Sequence, residues 1–193
     1  MKCDIILAGV GGQGILSIAT VIGYAAVESG LFLKQAEVHG MSQRGGAVLS
    51  HLRISDREIF SDLVPEGRGD LIISAEPMES LRYLPFLCKE GWIVTNKNPF
   101  VNIPNYPDIN KILAEIDKHP HHLTFDADSI AKEIENPRGV NMVIAGAASA
   151  FIDIPFEKME DGIRFIFGRK GEEIVNKNLN ALRAGKKYAI EHK

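Results

Sequence analysis

Residues 4–14 read Asp-Ile-Ile-Leu-Ala-Gly-Val-Gly-Gly-Gln-Gly, a short apolar run that leads directly into a glycine-rich loop. The glycines fit the spacing GxGxxG, and a helical apolar pattern follows to Ser29, where Gly30 supplies a stop signal. A strand, a tight turn and a helix in this order are typical of the first unit of a Rossmann-like sheet. The helix start also offers free N–H groups that suit an anion.

The rest of the chain continues the alternation of short apolar strands and helical segments. Strands are predicted at residues 32–38, 71–74, 92–95 and 122–126, and helices at 78–89, 109–118, 128–135, 141–151, from Pro155 and from Glu172. An alternating stretch at 47–54, a turn at 55–58 and a short segment at 59–61 predict an antiparallel hairpin. We therefore expect one α/β domain over residues 1–193, a three-layer α/β/α Rossmann-like sandwich whose sheet is mostly parallel but mixed.

Composition excludes several classes of protein. The net charge of −3 and the pI near 6.1 give no indication of a nucleic-acid partner. The first apolar run is too short for a signal peptide, and the run at 142–152 is too short for a membrane span, so a cytoplasmic location is expected. The two cysteines, Cys3 and Cys88, form no CxxC pair, which excludes a zinc ribbon or an iron–sulfur cluster built from this chain alone.

A second glycine-rich loop lies at residues 37–46, which read Glu-Val-His-Gly-Met-Ser-Gln-Arg-Gly-Gly. We expect it to leave the carboxyl end of a strand that neighbours the first, so that the two loops meet at one edge of the sheet. Arg44 would be the fixed positive charge there. Hydrogen-bonding groups would come from Gln13, His39, Ser42 and Gln43.

Two interpretations of the loops stay open on these residues. Glu37 lies 23 residues after Gly14, where a dinucleotide fold places its ribose-binding acid, so a nucleotide site is one interpretation. A tight strand–helix crossover that contacts another protein is the other. The second loop favours the latter, because a dinucleotide domain needs no further ten-residue polar loop at this edge.

Three pieces of the sequence carry a resemblance to a known family. GVGGQG at 9–14, EVHGMSQRGG at 37–46 and NMVIAG at 141–146 together resemble the gamma domain of the 2-oxoacid:ferredoxin oxidoreductases. The form HGMSQRGG is similar to that of the indolepyruvate type. The resemblance covers nearly the whole chain and keeps the order and spacing of the pieces.

The resemblance implies an activity and a set of partners. Members of this family decarboxylate a 2-oxoacid on thiamine diphosphate with Mg²⁺, pass electrons through [4Fe–4S] clusters to ferredoxin, and release an acyl-CoA. This chain lacks both the glycine–aspartate–glycine metal motif of thiamine enzymes and the cluster cysteines. It is therefore expected to hold no cofactor alone and to act with a larger subunit that carries them, as a heterodimer or a dimer of heterodimers.

The resemblance also implies the residues of a cofactor or subunit contact, without a catalytic residue or a metal ligand on this chain. Arg44, with Gly45 and Gly46, would contact the thiamine-bearing subunit and an anionic part of coenzyme A or of the substrate. The full predicted set is Gly9, Gly11, Gly12, Gln13, Gly14, Glu37, His39, Gly40, Met41, Ser42, Gln43, Arg44, Gly45, Gly46 and Asn141.

Two other functions remain alternatives at this point. One is a stand-alone enzyme that binds FAD, NAD or ATP, of the reductase or adenylating kind. The other is an interaction module without a ligand. The histidines at 119, 121 and 122 lack the spacing of a tight metal site and are predicted to lie in an exposed loop.

Overall fold

The computed structural model describes residues 1–39 and 45–193, with His39 described by its backbone only. Within these residues six strands form one sheet, flanked by seven α-helices. The strands are β1 (Lys2–Val10), β2 (Phe32–His39), β3 (Ala47–Ser55), β4 (Gly69–Ser74), β5 (Leu87–Asn96) and β6 (His122–Phe125). The helices are α1 (Ile15–Glu28), α2 (Pro77–Arg82), α3 (Ile109–Ile116), α4 (Ala127–Glu133), α5 (Val140–Ala148), α6 (Phe156–Phe167) and α7 (Glu172–His192).

The strand order is β2-β3-β1-β4-β5-β6. The pairs β1–β4, β4–β5 and β5–β6 are parallel, whereas β3 runs antiparallel to both of its neighbours. Helix α2 connects β4 to β5 and α3 connects β5 to β6, whereas α1 and the antiparallel pair β2–β3 lie between β1 and β4 in the chain. The predicted α/β class, with a mostly parallel but mixed sheet between two helical layers, is confirmed.

One face of the sheet carries the larger core. Ile5, Leu7 and Ile73 point from the strands into a cluster formed with α1, α4, α5, α6 and α7. The backbones of α5 and α7 touch: a Cβ added to Gly146 would lie 1.9 Å from the Leu182 carbonyl oxygen. Only glycine permits such an approach, which explains the run of small residues in α5.

The opposite face is covered by shorter elements. Ile6 and Ile72 pack against a 3-10 turn at residues 84–86, and Ile93 packs against α2 and α3. Over β3 this face is covered by the segment 59–64, since the Val64 N–H donates to His51 Nδ1 at 3.1 Å. The outer strand β2 is more open on this face, since Val38, opposite Leu49, is 57% exposed.

Three local predictions were wrong. The hairpin is β2–β3, with Phe32 opposite Ser55, and residues 59–61 form no strand. Strand β3 therefore separates β1 from β2, which were expected to be neighbours. The helix predicted at 78–89 ends at Arg82, because Pro85 cannot continue it, and β5 begins at Leu87.

Candidate functional site

The first glycine loop has the backbone that its sequence predicts. Gly14 is the N-cap of α1 with φ of 76°, and Gly12 has φ of 104°, both in the region that favours glycine. A Cβ on Gly14 would also lie 2.4 Å from Nδ2 of Asn141, whose amide donates to the Gly14 carbonyl at 3.3 Å. The structure thus brings together two predicted pieces that are 127 residues apart.

Gln13 and Gly9 serve the packing of the loop. The Gln13 Oε1 accepts the Val10 N–H at 2.8 Å, and its Nε2 donates to the Ala75 carbonyl at 3.2 Å. This side chain therefore ties the ends of β1 and β4 together across the crossover. A Cβ on Gly9 would lie 2.7 Å from Ile15 Cδ1, so this glycine leaves room for the first turn of α1.

The two glycine loops meet through backbone pairing. The Gly11 N–H donates to the Gly46 carbonyl at 2.8 Å, and the Gly45 N–H donates to the Gly11 carbonyl at 3.3 Å. Asn102 adds a third contact, because its Nδ2 donates to the Gly45 carbonyl at 2.7 Å. The predicted meeting is correct for these residues. Five predicted residues lie outside the described part of the chain: Gly40, Met41, Ser42, Gln43 and Arg44.

The position of Glu37 argues against a dinucleotide site. Glu37 is exposed on the edge strand β2, and Gln35 Nε2 donates to its carboxylate. Since β3 lies between β2 and β1, two strand spacings, about 10 Å, separate their backbones. A dinucleotide fold instead holds its ribose-binding acid on the strand next to the glycine turn. The His39 side chain, next on this strand, is outside the description.

A polar cleft of about 310 Å³ opens beside the first glycine loop. The carboxylate of Asp128 lines this cleft and accepts hydrogen bonds from Asn96 Nδ2 at 2.8 Å and from Asn98 Nδ2 at 2.9 Å. The remaining walls come from the glycine loop, from residues 99–100 and from residues 137–141, including Arg138 and Asn141. Of these, Asn96, Asn98, Asp128 and Arg138 were not predicted as site residues.

A second cleft of about 570 Å³ shares Pro137, Arg138 and Asn141 with the first. Its cationic side chains are Arg138, Lys170 and Lys177, the last paired with Glu173 at 2.6 Å. Arg138 lies where the two clefts meet to form one groove, while Lys170 and Lys177 line only the second cleft, together with the acid Glu135. Such a groove suits an elongated ligand with anionic and hydrogen-bonding parts.

The loop after β5 is fixed at both ends by carboxylates. Glu76 is fully buried and accepts the Tyr106 hydroxyl and the Phe100 N–H. Burial raises the pKa of Glu76 and also that of Tyr106, whose hydroxyl faces this carboxylate. At the other end, burial acts to raise the pKa of Asp126, but hydrogen bonds from Ser129, Asn98 and Lys97 outweigh it and lower that pKa to about 2. These contacts tie this wall of the cleft to Glu76 and Asp126.

The histidines at 119, 121 and 122 do not converge on a common point. The ring of His121 lies against Trp92, and His122 Nδ1 contacts the His119 carbonyl at 2.6 Å. Within residues 1–39 and 45–193, no three His, Cys, Asp or Glu side chains come together in a way that could hold a metal ion.

A family model for pyruvate ferredoxin/flavodoxin oxidoreductase matches residues 4–188. The chain belongs to this family. It is 36% identical over 198 residues to the indolepyruvate oxidoreductase subunit IorB of Pyrococcus horikoshii, covering 97% of this chain and 96% of that protein. The IorB subunit of Archaeoglobus fulgidus is also 36% identical, with 98% and 96% covered.

A solved structure of the family has the same fold over the whole chain. The 2-oxoglutarate:ferredoxin oxidoreductase from Magnetococcus marinus, with 2-oxoglutarate, coenzyme A and succinyl-CoA bound, superimposes with a TM-score of 0.79 at 24% identity. The match covers 100% of this chain and 32% of that one. A domain of this fold is therefore part of a longer polypeptide there.

Family membership bears on one of the alternatives left open by the sequence. The pyruvate ferredoxin/flavodoxin oxidoreductase family is an oxidoreductase family, and the relatives above are subunits of such enzymes. A stand-alone nucleotide-binding enzyme is not favoured. In the part of the chain that the structure describes, there is also no helix with the length and apolarity needed to span a membrane.

Proposed function

We propose that this chain is the small subunit of an indolepyruvate-type 2-oxoacid:ferredoxin oxidoreductase and works only with a larger subunit. The observation that supports this most strongly is the 36% identity to two archaeal IorB subunits, which extends over nearly their full length. The proposal takes the substrate class from these relatives and from the loop form HGMSQRGG at residues 39–46.

The assembled enzyme would oxidise an aryl pyruvate. The bond between the carboxylate and the keto carbon breaks and releases CO₂, two electrons pass to two oxidised ferredoxins, and the acyl group forms a thioester with coenzyme A. The thiol proton of coenzyme A goes to solvent. Thiamine diphosphate and Mg²⁺ would supply the carbanion chemistry, and [4Fe–4S] clusters would carry the electrons.

The cysteines of this chain support the proposal that the partner subunit carries the iron–sulfur clusters. A [4Fe–4S] cluster takes four thiolates, and the chain has two cysteines. Cys3 is buried on β1, and burial raises the pKa of its thiol to about 12. Cys88 lies on β5, two strands away. These residues do not fit a cluster.

The role proposed for this chain is to shape the binding groove and to position the larger subunit and coenzyme A. The paired glycine loops and the adjoining groove would face the larger subunit, and Arg138 would contact an anionic part of coenzyme A. Arg44, with Gly45 and Gly46, keeps the role proposed from the sequence, at the contact with the thiamine-bearing subunit. A guanidinium suits a planar, two-point contact with carboxylate or phosphate, so lysine should substitute poorly.

Reconstitution of the two subunits tests the proposal. Arg44→Ala and Arg44→Lys should lower turnover or assembly at least about tenfold, while Arg169→Ala, at an exposed arginine outside the groove, should behave as the wild type. Turnover would be followed anaerobically with indolepyruvate, pyruvate and 2-oxoglutarate. Normal turnover of Arg44→Ala would overturn the assignment of Arg44, and a preference for pyruvate or 2-oxoglutarate would overturn the substrate class.

A further inference from the structure

Phe60 is the most exposed large apolar side chain of the described residues, at 89% of its full accessible area. It lies in the segment 59–64, here called the Phe60 knob. Leu63 of the same segment is 52% exposed, whereas Ile59 and Val64 at its two ends are buried. The knob is thus anchored at both ends and presents its two remaining apolar side chains to solvent.

A buried ion pair holds the knob in place. Arg53 Nη1 donates to the Ser61 and Leu63 carbonyls at 3.0 and 3.2 Å. Its Nε and Nη2 donate to the two carboxylate oxygens of Asp4, at 2.8 and 3.2 Å, and that carboxylate is almost fully buried. The backbone of the knob is therefore fixed to β3 and β1.

This arrangement has no evident use in the isolated chain. An exposed phenylalanine contributes little to folding, and large exposed apolar groups mark contact sites. Aromatic anchors held in one conformation are what tight interfaces use, because little conformational freedom is lost when they bind. The rigid backbone and the exposed ring together indicate a docking element.

We infer that the Phe60 knob is the anchor by which the larger subunit holds this chain. The inference rests on the proposed function and specifies which surface of this chain the larger subunit contacts. In the Magnetococcus marinus relative, a domain of this fold makes up 32% of a longer chain, so there it is joined to the rest of its enzyme. The IorB subunits of Pyrococcus horikoshii and Archaeoglobus fulgidus, 96% of which this chain matches, consist almost wholly of this one domain. A subunit of that kind must be held by non-covalent contacts, and an aromatic anchor supplies one.

The chemistry of the matching surface follows from the neighbours of Phe60. The charged residues nearest to it in the sequence are Glu58 and Asp62, both exposed and without an ion pair among the described residues. Lys2 and Arg53 line the same cleft as Phe60, but both of these cations pair with Asp4. The larger subunit should therefore offer an apolar socket with a lysine or arginine at its rim.

The open face of β2–β3 connects the knob with the glycine loops. Strand β3 begins at Ala47 beside the glycine loops and ends at Ser55 near the knob, about 27 Å away for nine residues. Val38, opposite Leu49 on β3, is 57% exposed between these two ends. One partner lying along this ribbon would cover Phe60, Leu63, Val38 and the glycine loops together.

Binding of the purified larger subunit to two matched variants tests the inference. Phe60→Ser should raise the dissociation constant of the complex with the larger subunit roughly thirtyfold, the size expected of an anchor residue. Ile190→Ser is the control, since Ile190 on α7 is 63% exposed on the opposite face of the sheet. It should stay within about threefold of the wild type. Asp62→Lys should weaken binding and reduce its dependence on salt.

The outcomes separate the inference from the proposed function. Wild-type binding with loss in Phe60→Ser, and with thermal unfolding of both variants unchanged, supports the inference. Equal binding of Phe60→Ser and wild type overturns the inference and leaves the proposed function standing. A wild-type chain that binds no larger subunit overturns both. A wild-type homodimer that Phe60→Ser dissociates, with binding of the larger subunit unaffected, shows that the knob docks a second copy and overturns the inference.

Discussion

The two ends of β3 hold two contact regions that are built in opposite ways. At the end near Ala47, the glycine loops are joined backbone to backbone, and in the first loop Gly9 and Gly14 leave room for Ile15 and Asn141. At the end near Ser55, the Phe60 knob has a backbone fixed by Arg53 and presents a large side chain that nothing in the described chain covers.

This difference shows why one region has a sequence signature and the other has none. A loop that must approach other backbone closely admits almost only glycine, so its residue types are constrained. A knob needs only some large apolar side chain on a rigid support, and its support is made by residues far away in the sequence. Changes in the first region should therefore affect folding, and changes at the tip of the second should affect assembly.

The largest effect is expected where the knob is supported. Arg53→Met removes the two-point partner of the buried Asp4 carboxylate and leaves it paired only with the exposed Lys2, at 2.8 Å, which should lower the free energy of unfolding by about 3 kcal/mol. Urea denaturation would measure it, and chymotrypsin should then cleave the native chain after Phe60. The control is Arg164→Met, at an exposed pair with Asp161, with an expected change below about 1 kcal/mol. Equal effects of the two variants would mean that the ion pair between Arg53 and Asp4 does not stabilise the fold.

The next effect is expected in the glycine loop. Gly14→Ala combines an unfavourable φ with a clash against Asn141, so we expect a loss of about 2–4 kcal/mol. Gly12→Ala has the unfavourable φ but open space around it, so its loss should be about 1–2 kcal/mol. Combining Gly14→Ala with Asn141→Ala separates the two terms in a double-mutant cycle. Additive losses in this cycle would show that the clash with Asn141 is unimportant.

A smaller effect should appear in the pH dependence of stability. Because burial raises the pKa of Glu76 in the folded state, the native protein binds more protons there than the unfolded chain does. The contribution of Glu76 is thus fully present below its ordinary value of 4.5 and is lost as the pH rises through the raised pKa. As the pH rises from 4.5 through the raised pKa, the free energy of unfolding of the wild type, measured by urea denaturation, should fall relative to that of Glu76→Gln.

Asp126 provides a contrast of opposite sign. Its pKa is lowered to about 2 in the folded state, so its contribution is present above 3.8 and is lost as the pH falls toward 2. The wild type should therefore lose stability relative to Asp126→Asn as the solution is acidified. The same sign of trend for both carboxylates would contradict the opposite pKa shifts of Glu76 and Asp126.

The smallest effect is expected at the tip of the knob. Phe60→Ser should change the free energy of unfolding of the isolated chain by less than about 0.5 kcal/mol, because the ring is 89% exposed. Thermal unfolding measures this. A loss above about 1 kcal/mol would mean that the ring has a structural role, and the contrast with the glycine loop would disappear.

The parts of the fold that could be predicted are those specified locally. The turn at Gly9–Gly14 and the helix that follows it are encoded in a short continuous stretch, and the residue types are diagnostic. The strand that pairs with β3 could not be predicted in this way. The alternating pattern at residues 47–54 fits a hairpin with the segment before it as well as one with the segment after it. A turn-like sequence at 55–58 suggested the wrong side, and pairing with β2 is decided by long-range contacts.

The groove illustrates the same limit for the site. Asn96 and Asp128 are 32 residues apart and become neighbours only when β5 and β6 pair. Asn141 was predicted because it belonged to a recognisable piece, whereas Arg138, three residues earlier, carried no motif. One signal was available: polar residues directly after the predicted strands at 92–95 and 122–126 point to the edge of the sheet where ligands bind.

The central claim is that this chain is one part of a 2-oxoacid oxidoreductase. The most direct test is an anaerobic pull-down of the tagged chain from its own cells, followed by an assay of viologen reduction with indolepyruvate and coenzyme A. We predict recovery of a larger iron–sulfur subunit and a reduction rate that depends on both substrates. Recovery of the chain alone, with a nucleotide bound and no such activity, would contradict the account.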